Sequence, residues 1–247
     1  MTKRYIDINC DVGEGEGNEA DLFPLISSCN IACGGHAGTV ESIQTCLKLA
    51  KKYKVKVGAH PSYPDRENFG RISMEISTAE LIKCIQSQMQ LFMDECKRAS
   101  LGIHHIKPHG ALYNDIAKDE NKANAFLTAI APYKEHSYLY VPFGSKVQNL
   151  ALAQNFKIKR EAFADRNYNA DLSLVSRKKE NAVISKAEDV WDHLMRMYTW
   201  NEVRTIDGKR VRMEAETYCI HGDTPTAFQI LMYLTKHFVE QNIHAKI

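Results

Sequence analysis

The chain has 247 residues, 44% hydrophobic and 25% charged, with a formal net charge of +2. A chain of this length can bury one large core. The near-balanced charge, without a long basic run, excludes the electrostatic signature of a nucleic-acid binder, and no apolar run approaches the roughly 18 residues of a membrane-spanning helix.

The opening MTKRYIDINCDVGEG has no apolar signal-peptide core, so a cytoplasmic protein is expected. Residues 5–10 (YIDINC) alternate and carry β-branched side chains in the manner of a strand, and residues 29–34 (CNIACG) form a short second one. Across residues 39–53, Val40, Ile43, Leu47 and Ala50 lie at helical spacing, with lysines filling the end. Residues 55–59 (VKVGA) are the third strand. Ser77 to Glu80 (STAE) is a capping box opening a helix to about residue 100, with Leu81, Ile85, Met89, Phe92 and Cys96 on its core face and Gly102 as its stop. Residues 103–107 are the fourth strand, followed by a helix over 118–130, a fifth strand at 138–142, a short helix over 146–155 and a sixth strand at 157–163. A second capping box, SKAE at Ser185 to Glu188, opens a helix to about residue 200. Asp207-Gly208, between VRTI and KRVRM, marks a tight hairpin near residues 203–213. Residues 216–221 are the seventh strand, and Pro225 suits the first turn of the last helix. No internal repeat or linker interrupts the chain, which reads as one domain over residues 1–247.

Strands alternating with helices form either an open doubly wound sheet or a barrel. In an open sheet ligands gather at one switch point, whereas in a barrel polar residues converge from nearly every strand's C-terminal end. Here Asp11 and Glu14 follow the first strand, His36 the second and His60 the third. Lys107 and His109 follow the fourth, Asp165 and Arg166 the sixth, and His221 and Asp223 the seventh. That distribution predicts a seven-stranded (β/α) barrel with histidines and carboxylates at one mouth, a set suited to a divalent metal, to acid–base catalysis, or to both. Of the adjacent His104 and His105 only one can point inward, and at least one is a packing residue. Lys107 and His109 are the expected inward pair, with Pro108 stiffening the strand exit and Gly110 keeping the mouth open. His136, His193, His237 and His244 read as surface residues. The seven cysteines contain no C-x-x-C pair, so buried free thiols, Cys29 and Cys33 included, are expected rather than disulfides. GGHAG lacks the spacing of a phosphate-binding loop.

DINCDVGEG, NIACGGHAG, GAHPSYPD with NFGR, HIKPHGALYN, FADRNYN and CIHGDTP, in this order from Asp7 to Pro225, closely resemble the motifs of the LamB/YcsF family of 5-oxoprolinase A subunits. The resemblance implies a (β/α)₇ barrel similar to the glycoside hydrolase/deacetylase superfamily. It also implies ATP-dependent opening of 5-oxo-L-proline to L-glutamate together with separate B and C subunits. A lactam is an unactivated amide, and phosphorylating its oxygen would prepare it for attack by water. As no segment forms a known ATP loop, the nucleotide is expected on the partner subunits. Whether copies of the chain also form a homo-oligomer is left open by the sequence.

By the resemblance, Asp11, His60 and His109 match metal positions of related barrels, and Glu14 or Asp165 is the candidate general base. His36 and His221 are proton shuttles, His109 is essential to catalysis, and Arg71, Lys107 or Arg166 meets the substrate carboxylate. The chain departs from the family pattern at Gly35, where an aromatic is usual, at Gly15-Glu16, where Ser-Phe is usual, at Thr39 and Ser62, and in the loop after Tyr168. Loss of the aromatics is expected to widen the pocket. Two other readings fit the same residues: a stand-alone metal-dependent hydrolase or deacetylase, and a non-catalytic subunit that only presents substrate.

Overall fold

The computed structural model describes residues 4–245. In chain order the elements are β1 (Arg4–Ile6), β2 (Ile8–Val12), α1 (Glu19–Leu22), β3 (Ser28–Ala32), α2 (Val40–Tyr53) and β4 (Lys56–His60). Next come α3 (Thr78–Ala99), β5 (His105–Ile106), α4 (Gly110–Lys118), α5 (Glu120–Ile130), β6 (Tyr138–Pro142), α6 (Lys146–Ala153) and β7 (Lys157–Phe163). The last third holds α7 (Ala187–Trp200), β8 (Glu202–Arg204), β9 (Arg210–Arg212), β10 (Thr217–Ile220), α8 (Ala227–Glu240) and β11 (Ile243–Ala245). Strands β2, β3, β4, β5, β6, β7 and β10 pair in parallel, and β10 returns to β2 to close the expected seven-stranded barrel. No helix among the described residues is long and apolar enough to cross a membrane.

The barrel wall sorts its side chains by register. One set, including Ile8, Cys10, Val12, Ile31, Val57, Leu139 and Val141, is buried in the apolar layer beneath the helices. The alternate set, including Asn9, Asp11, Ser28, Asn30, His105, Glu161 and Thr217, fills the lumen and is buried as well. A barrel interior is more usually packed with Val, Ile and Leu. Here the apolar core is the ring between strands and helices, and the centre is polar.

Several boundaries differ from the sequence expectation for local reasons. The first predicted strand divides at Asp7: β1 leaves the barrel to pair with β11, and the barrel strand runs to Val12, so Asp11 lies within it. The buried Asp7 is held at that break by the Ser28 and Thr217 hydroxyls. The long helix α3 has the predicted capping box at Ser77, but it ends on Ser100 in the left-handed conformation (φ 54°), not on Gly102. Helix α7 starts after Lys186 without a side-chain cap, so the second capping box does not form. Helix α4 is an addition to the expected elements. It starts directly after the strand exit, on an extended His109, and carries Leu112, Tyr113 and Ile116 inward. The hairpin pairs β8 with β9 through a connection wider than the two-residue turn that Asp207-Gly208 suggests. Pro225 precedes α8, whose N-cap is Thr226. His193, expected on the surface, is buried on the inner face of α7, while Cys29 and Cys33 are buried free thiols as expected.

Gly58 shows how tightly the lumen is filled. A Cβ at this position would lie 2.1 Å from His105 Nε2, because the His105 ring occupies the space across the strand pair. Gly58→Ala should therefore cost about 1–3 kcal/mol by overpacking, read as a lower midpoint in urea or thermal unfolding. An unchanged midpoint would show that the ring moves aside freely.

Candidate active site

The site is built upward from an ammonium group in the lumen. Lys107 continues the inward register of β5 and is 2% exposed. Its Nζ donates to Asp11 Oδ1 at 2.8 Å, to Asn9 Oδ1 at 3.3 Å and to Cys219 Sγ at 3.0 Å, and lies 3.1 Å from Glu161 Oε1. Asn30 Nδ2 donates to the same Asp11 oxygen at 2.7 Å and to Asn9 Oδ1 at 2.8 Å, while its own Oδ1 accepts from His105 Nε2 at 2.6 Å. Burial acts to raise the Asp11 carboxyl, but the neighbouring His60 and Lys107 outweigh it and hold Asp11 well below the usual carboxylate range. Burial pulls the Lys107 ammonium down, and Asp11 first, together with Cys219 and Glu161, more than reverses this and holds it well above its ordinary value. Glu161 is left raised by burial, which Lys107 only partly offsets.

Above this layer three imidazoles and Glu14 meet. His60, at the end of β4, has Nδ1 2.7 Å from the Lys107 carbonyl, and its Nε2 lies 3.4 Å from Asp11 Oδ2 and 3.9 Å from Glu14 Oε1. His109 has Nε2 2.9 Å from the Phe69 carbonyl, and its Nδ1 lies 3.0 Å from His60 Nε2 and 3.3 Å from Glu14 Oε1. His36 Nε2 lies 2.8 Å from Glu14 Oε1, and its ring stacks on His109 at 3.6 Å. Burial is the first cause that lowers His36, to about 2, and that lowers His109 well below the ordinary histidine value. Glu14 is raised by burial and by the Asp11 charge. Phe69 holds its carbonyl to His109 from a positive φ of 54°, backbone geometry that costs a non-glycine residue of order 1 kcal/mol or more. Gly110 (φ 57°) lines the cavity and is also required by the backbone beside it. A Cβ there would lie 2.5 Å from the Gly70 carbonyl oxygen, and this close approach lets Ala111 N donate to Gly70 O at 2.9 Å.

A second centre joins β7 to β10. Asp165 is fully buried and accepts from the His221 backbone N at 2.9 Å and from its ring Nδ1 at 2.9 Å. Burial acts to raise Asp165, and His221 outweighs it, so the carboxyl lies below its ordinary value. The His221 ring stacks on Phe163 at 5.2 Å. Donor atoms of His221, Asp11 and Cys219 lie within 4.8 Å of one another, but the Lys107 ammonium already binds two of these groups.

Both centres line one cavity of about 770 Å³. Arg71 stands at its rim, paired with Asp223, which also lies 3.7 Å from Arg177. Of the three cations expected to meet a carboxylate, Lys107 is enclosed by its lumen partners. Arg166 is buried and donates to the carbonyls of Ala182 and Val175, fastening the loop after β7, and burial lowers it to about 10. Arg71 is the accessible one.

The fold thus brings together all the residues singled out from sequence. Asp11, Glu14, His60, Arg71, Lys107, His109, Arg166 and His221 line the cavity, with His36 behind Glu14 and Asp165 behind His221. His105 is the inward member of the adjacent histidine pair and packs deeper, against Asn30 and Tyr140. Asn9, Asn30, Glu161 and Cys219 belong to the site without having stood out in the sequence. Their signal is polarity at alternate positions of otherwise apolar strands. The widening expected at Gly35 does not occur, because a Cβ there would lie 2.3 Å from Ser62 Oγ and 2.4 Å from Gln88 Oε1. Ser62 and Gln88 fill that space.

A closed parallel barrel with an aspartate–histidine dyad and a histidine–carboxylate group at its strand ends defines a (β/α)₇-barrel protein with a site of hydrolytic type. The chain belongs to the LamB/YcsF family, which it matches over residues 6–246. It is 39% identical over 244 residues to the 5-oxoprolinase A subunit of Haemophilus influenzae (strain PittGG), covering 99% of each chain. It is 38% identical over 243 residues to the protein of the same name from Thermococcus sibiricus, covering 96% of this chain and 95% of that one. The crystal structure of the lactam utilization protein from Thermus thermophilus superposes with a TM-score of 0.90 at 31% identity, covering 98% of both chains.

Lys107→Met would leave two buried carboxylates without their cation. It should destabilise the fold by about 3–5 kcal/mol, and Glu161→Gln in the same chain should recover part of that loss, measured as a double-mutant cycle in denaturant. Strict additivity of the two changes would show that Lys107 and Glu161 do not act as a pair.

Proposed function

We propose that the chain is the A subunit of an ATP-hydrolysing 5-oxoprolinase, which opens 5-oxo-L-proline to L-glutamate with B and C subunits. Family membership and the names of its relatives support the reaction class. The observation that carries the residue-level reading is the Asp165–His221 dyad, which shares one cavity with Asp11, Glu14, His60 and His109.

Opening the ring needs a water activated at the lactam carbonyl and a proton delivered to the departing ring nitrogen. With Nδ1 donating to Asp165, His221 has Nε2 as its working nitrogen. It takes a proton from the attacking water and returns it to the ring nitrogen as the C–N bond breaks. Asp165 acts through His221, as the positioning residue that sets its tautomer. The lactam carboxylate is met at the rim by Arg71, which exchanges its pairing with Asp223 for the substrate. A divalent cation held on the His60–His109 side would polarise the lactam carbonyl. ATP enters on the partner subunits. Transfer of the ATP γ-phosphoryl group to the lactam oxygen releases ADP and makes the ring carbon electrophilic. Addition of the first water and C–N cleavage then leave a γ-glutamyl phosphate, and a second water displaces phosphate from it to give L-glutamate.

The test is glutamate formation from 5-oxoproline with and without ATP and the B and C subunits. Turnover that requires all components supports the proposal, whereas turnover by this chain alone without ATP would favour a stand-alone hydrolase. In the complete system His221→Ala and His109→Ala should each lower kcat by about 10²–10⁴, with circular dichroism showing an intact fold. Full activity in either folded variant would remove that residue from the chemistry.

A further inference from the structure

Two ring nitrogens in the cavity wall face each other in a way that neutral imidazoles do not tolerate. A backbone carbonyl only accepts, so His60 Nδ1, 2.7 Å from the Lys107 carbonyl, and His109 Nε2, 2.9 Å from the Phe69 carbonyl, both carry hydrogens. In neutral rings the other nitrogens, His60 Nε2 and His109 Nδ1, then carry lone pairs, and these atoms stand 3.0 Å apart. The two rings are 89° apart, so a single cation can lie in both ring planes. Glu14 Oε1 completes a triangle, 3.3 Å from His109 Nδ1 and 3.9 Å from His60 Nε2. With these three edges, the corners are all about 2 Å from a common centre, the length of a zinc bond to nitrogen or oxygen.

His36 is placed differently. Its ring is parallel to that of His109, with 2° between the planes and 3.6 Å between centroids, so no point lies in both planes. A cation in line with the His109 lone pair is therefore out of line with that of His36. Instead His36 Nε2 lies 2.8 Å from Glu14 Oε1, while its buried Nδ1 has no hydrogen-bond partner among the described residues. Placing the hydrogen on Nε2 gives Glu14 a donor and leaves only an acceptor unpaired. Asp11 is placed differently again. Its Oδ1 accepts from Lys107 and Asn30 at 2.8 and 2.7 Å. Its Oδ2, though 3.4 Å from His60 Nε2, lies outside the group of Glu14, His36, His60 and His109 donor atoms that are all within 4.8 Å of one another.

The geometry points to a divalent transition-metal site formed by His60 Nε2, His109 Nδ1 and Glu14 Oε1, with His36 as the positioning residue for Glu14 and Asp11 outside the ligand set. The two backbone carbonyls orient the ligating rings, as outer partners of metal-bound histidines commonly do. All three ligands line the cavity, so further coordination positions open towards a substrate or water. The inference deepens the hydrolytic reading above. Its test uses the metal alone and no lactam, so either can fail without the other.

The full-length chain, stripped with chelator, is titrated with Co²⁺ followed by visible absorption and with Zn²⁺ followed by calorimetry. One ion per chain is expected. His60→Ala, His109→Ala and Glu14→Ala should each abolish stoichiometric binding, and Asp11→Asn should retain it. His36→Gln, which can still donate to Glu14, should bind within about tenfold of wild type, and His36→Ala roughly 10–100-fold more weakly. Absence of stoichiometric binding by the wild type would overturn the site and leave a shared proton between the two rings. Loss of binding in Asp11→Asn or His36→Gln as complete as in His60→Ala would overturn the ligand set. Should the alanine variants fail to fold, X-ray absorption on the zinc-loaded wild type decides: two imidazoles support the assignment, and one or three overturn it.

Discussion

The Lys107 ammonium, held inside the barrel between Asp11 and Glu161, is the interaction on which the remaining architecture depends. A buried charge carries a desolvation cost of several kcal/mol, which is recovered only if opposite charges and hydrogen bonds meet it with good geometry. The lumen supplies both. Asn9 and Cys219 take up the remaining ammonium hydrogens, and Asn30 fixes the Asp11 oxygen that Lys107 binds. Asn30 is fixed in turn by His105, whose ring fits only because residue 58 has no side chain. The position of the Asp11 oxygen, the orientation of Asn30 and the glycine at position 58 are thus linked through one buried cation.

That cation also sets what the mouth can do. His60 and Lys107 together keep Asp11 ionised, and because Lys107 occupies one of its oxygens the other is left facing His60. The His60 ring is in turn tied to the Lys107 backbone carbonyl, so one residue governs the lumen through its side chain and the histidine layer through its main chain. His109 is held from the opposite side by Phe69, in a strained conformation that the packing of its ring against His36 and His109 maintains. The result is a rigid group of donors supported by backbone carbonyls, with the Asp165–His221 dyad placed independently by β7 and β10.

Much of this is legible in the sequence. The alternation of strands and helices, and polar residues recurring at strand ends, point to the closed barrel and the residues of its mouth. Roles are harder to read than positions. Arg166 and Arg71 look equivalent as letters, and only the partners reveal that one fastens a loop while the other faces the cavity. The lumen is hidden because alternation has two meanings. Asp7, Asn9 and Asp11, or Ser28 and Asn30, resemble the solvent face of a half-buried strand, yet in a barrel wrapped by helices neither strand face meets solvent. Helix α4 is hidden for a related reason: its first turn follows Pro108 and His109, residues that suggest a loop, and no side chain caps it.

The polar lumen changes how stability and function are divided in this barrel. In a barrel with an aliphatic interior, the packed layers and the strand-end residues can vary separately, because dispersion contacts below have little influence on charges above. Here the groups beneath the mouth are charged and hydrogen-bonded to it. Electrostatic effects in such a low-dielectric interior reach further than packing contacts do. Neither Asn30 nor Glu161 lines the main cavity, yet a change at Asn30 acts on Asp11 directly and one at Glu161 acts on it through Lys107. The apolar ring beneath the helices is then the part of the core that holds the fold without shaping the chemistry, and the lumen is the part that does both.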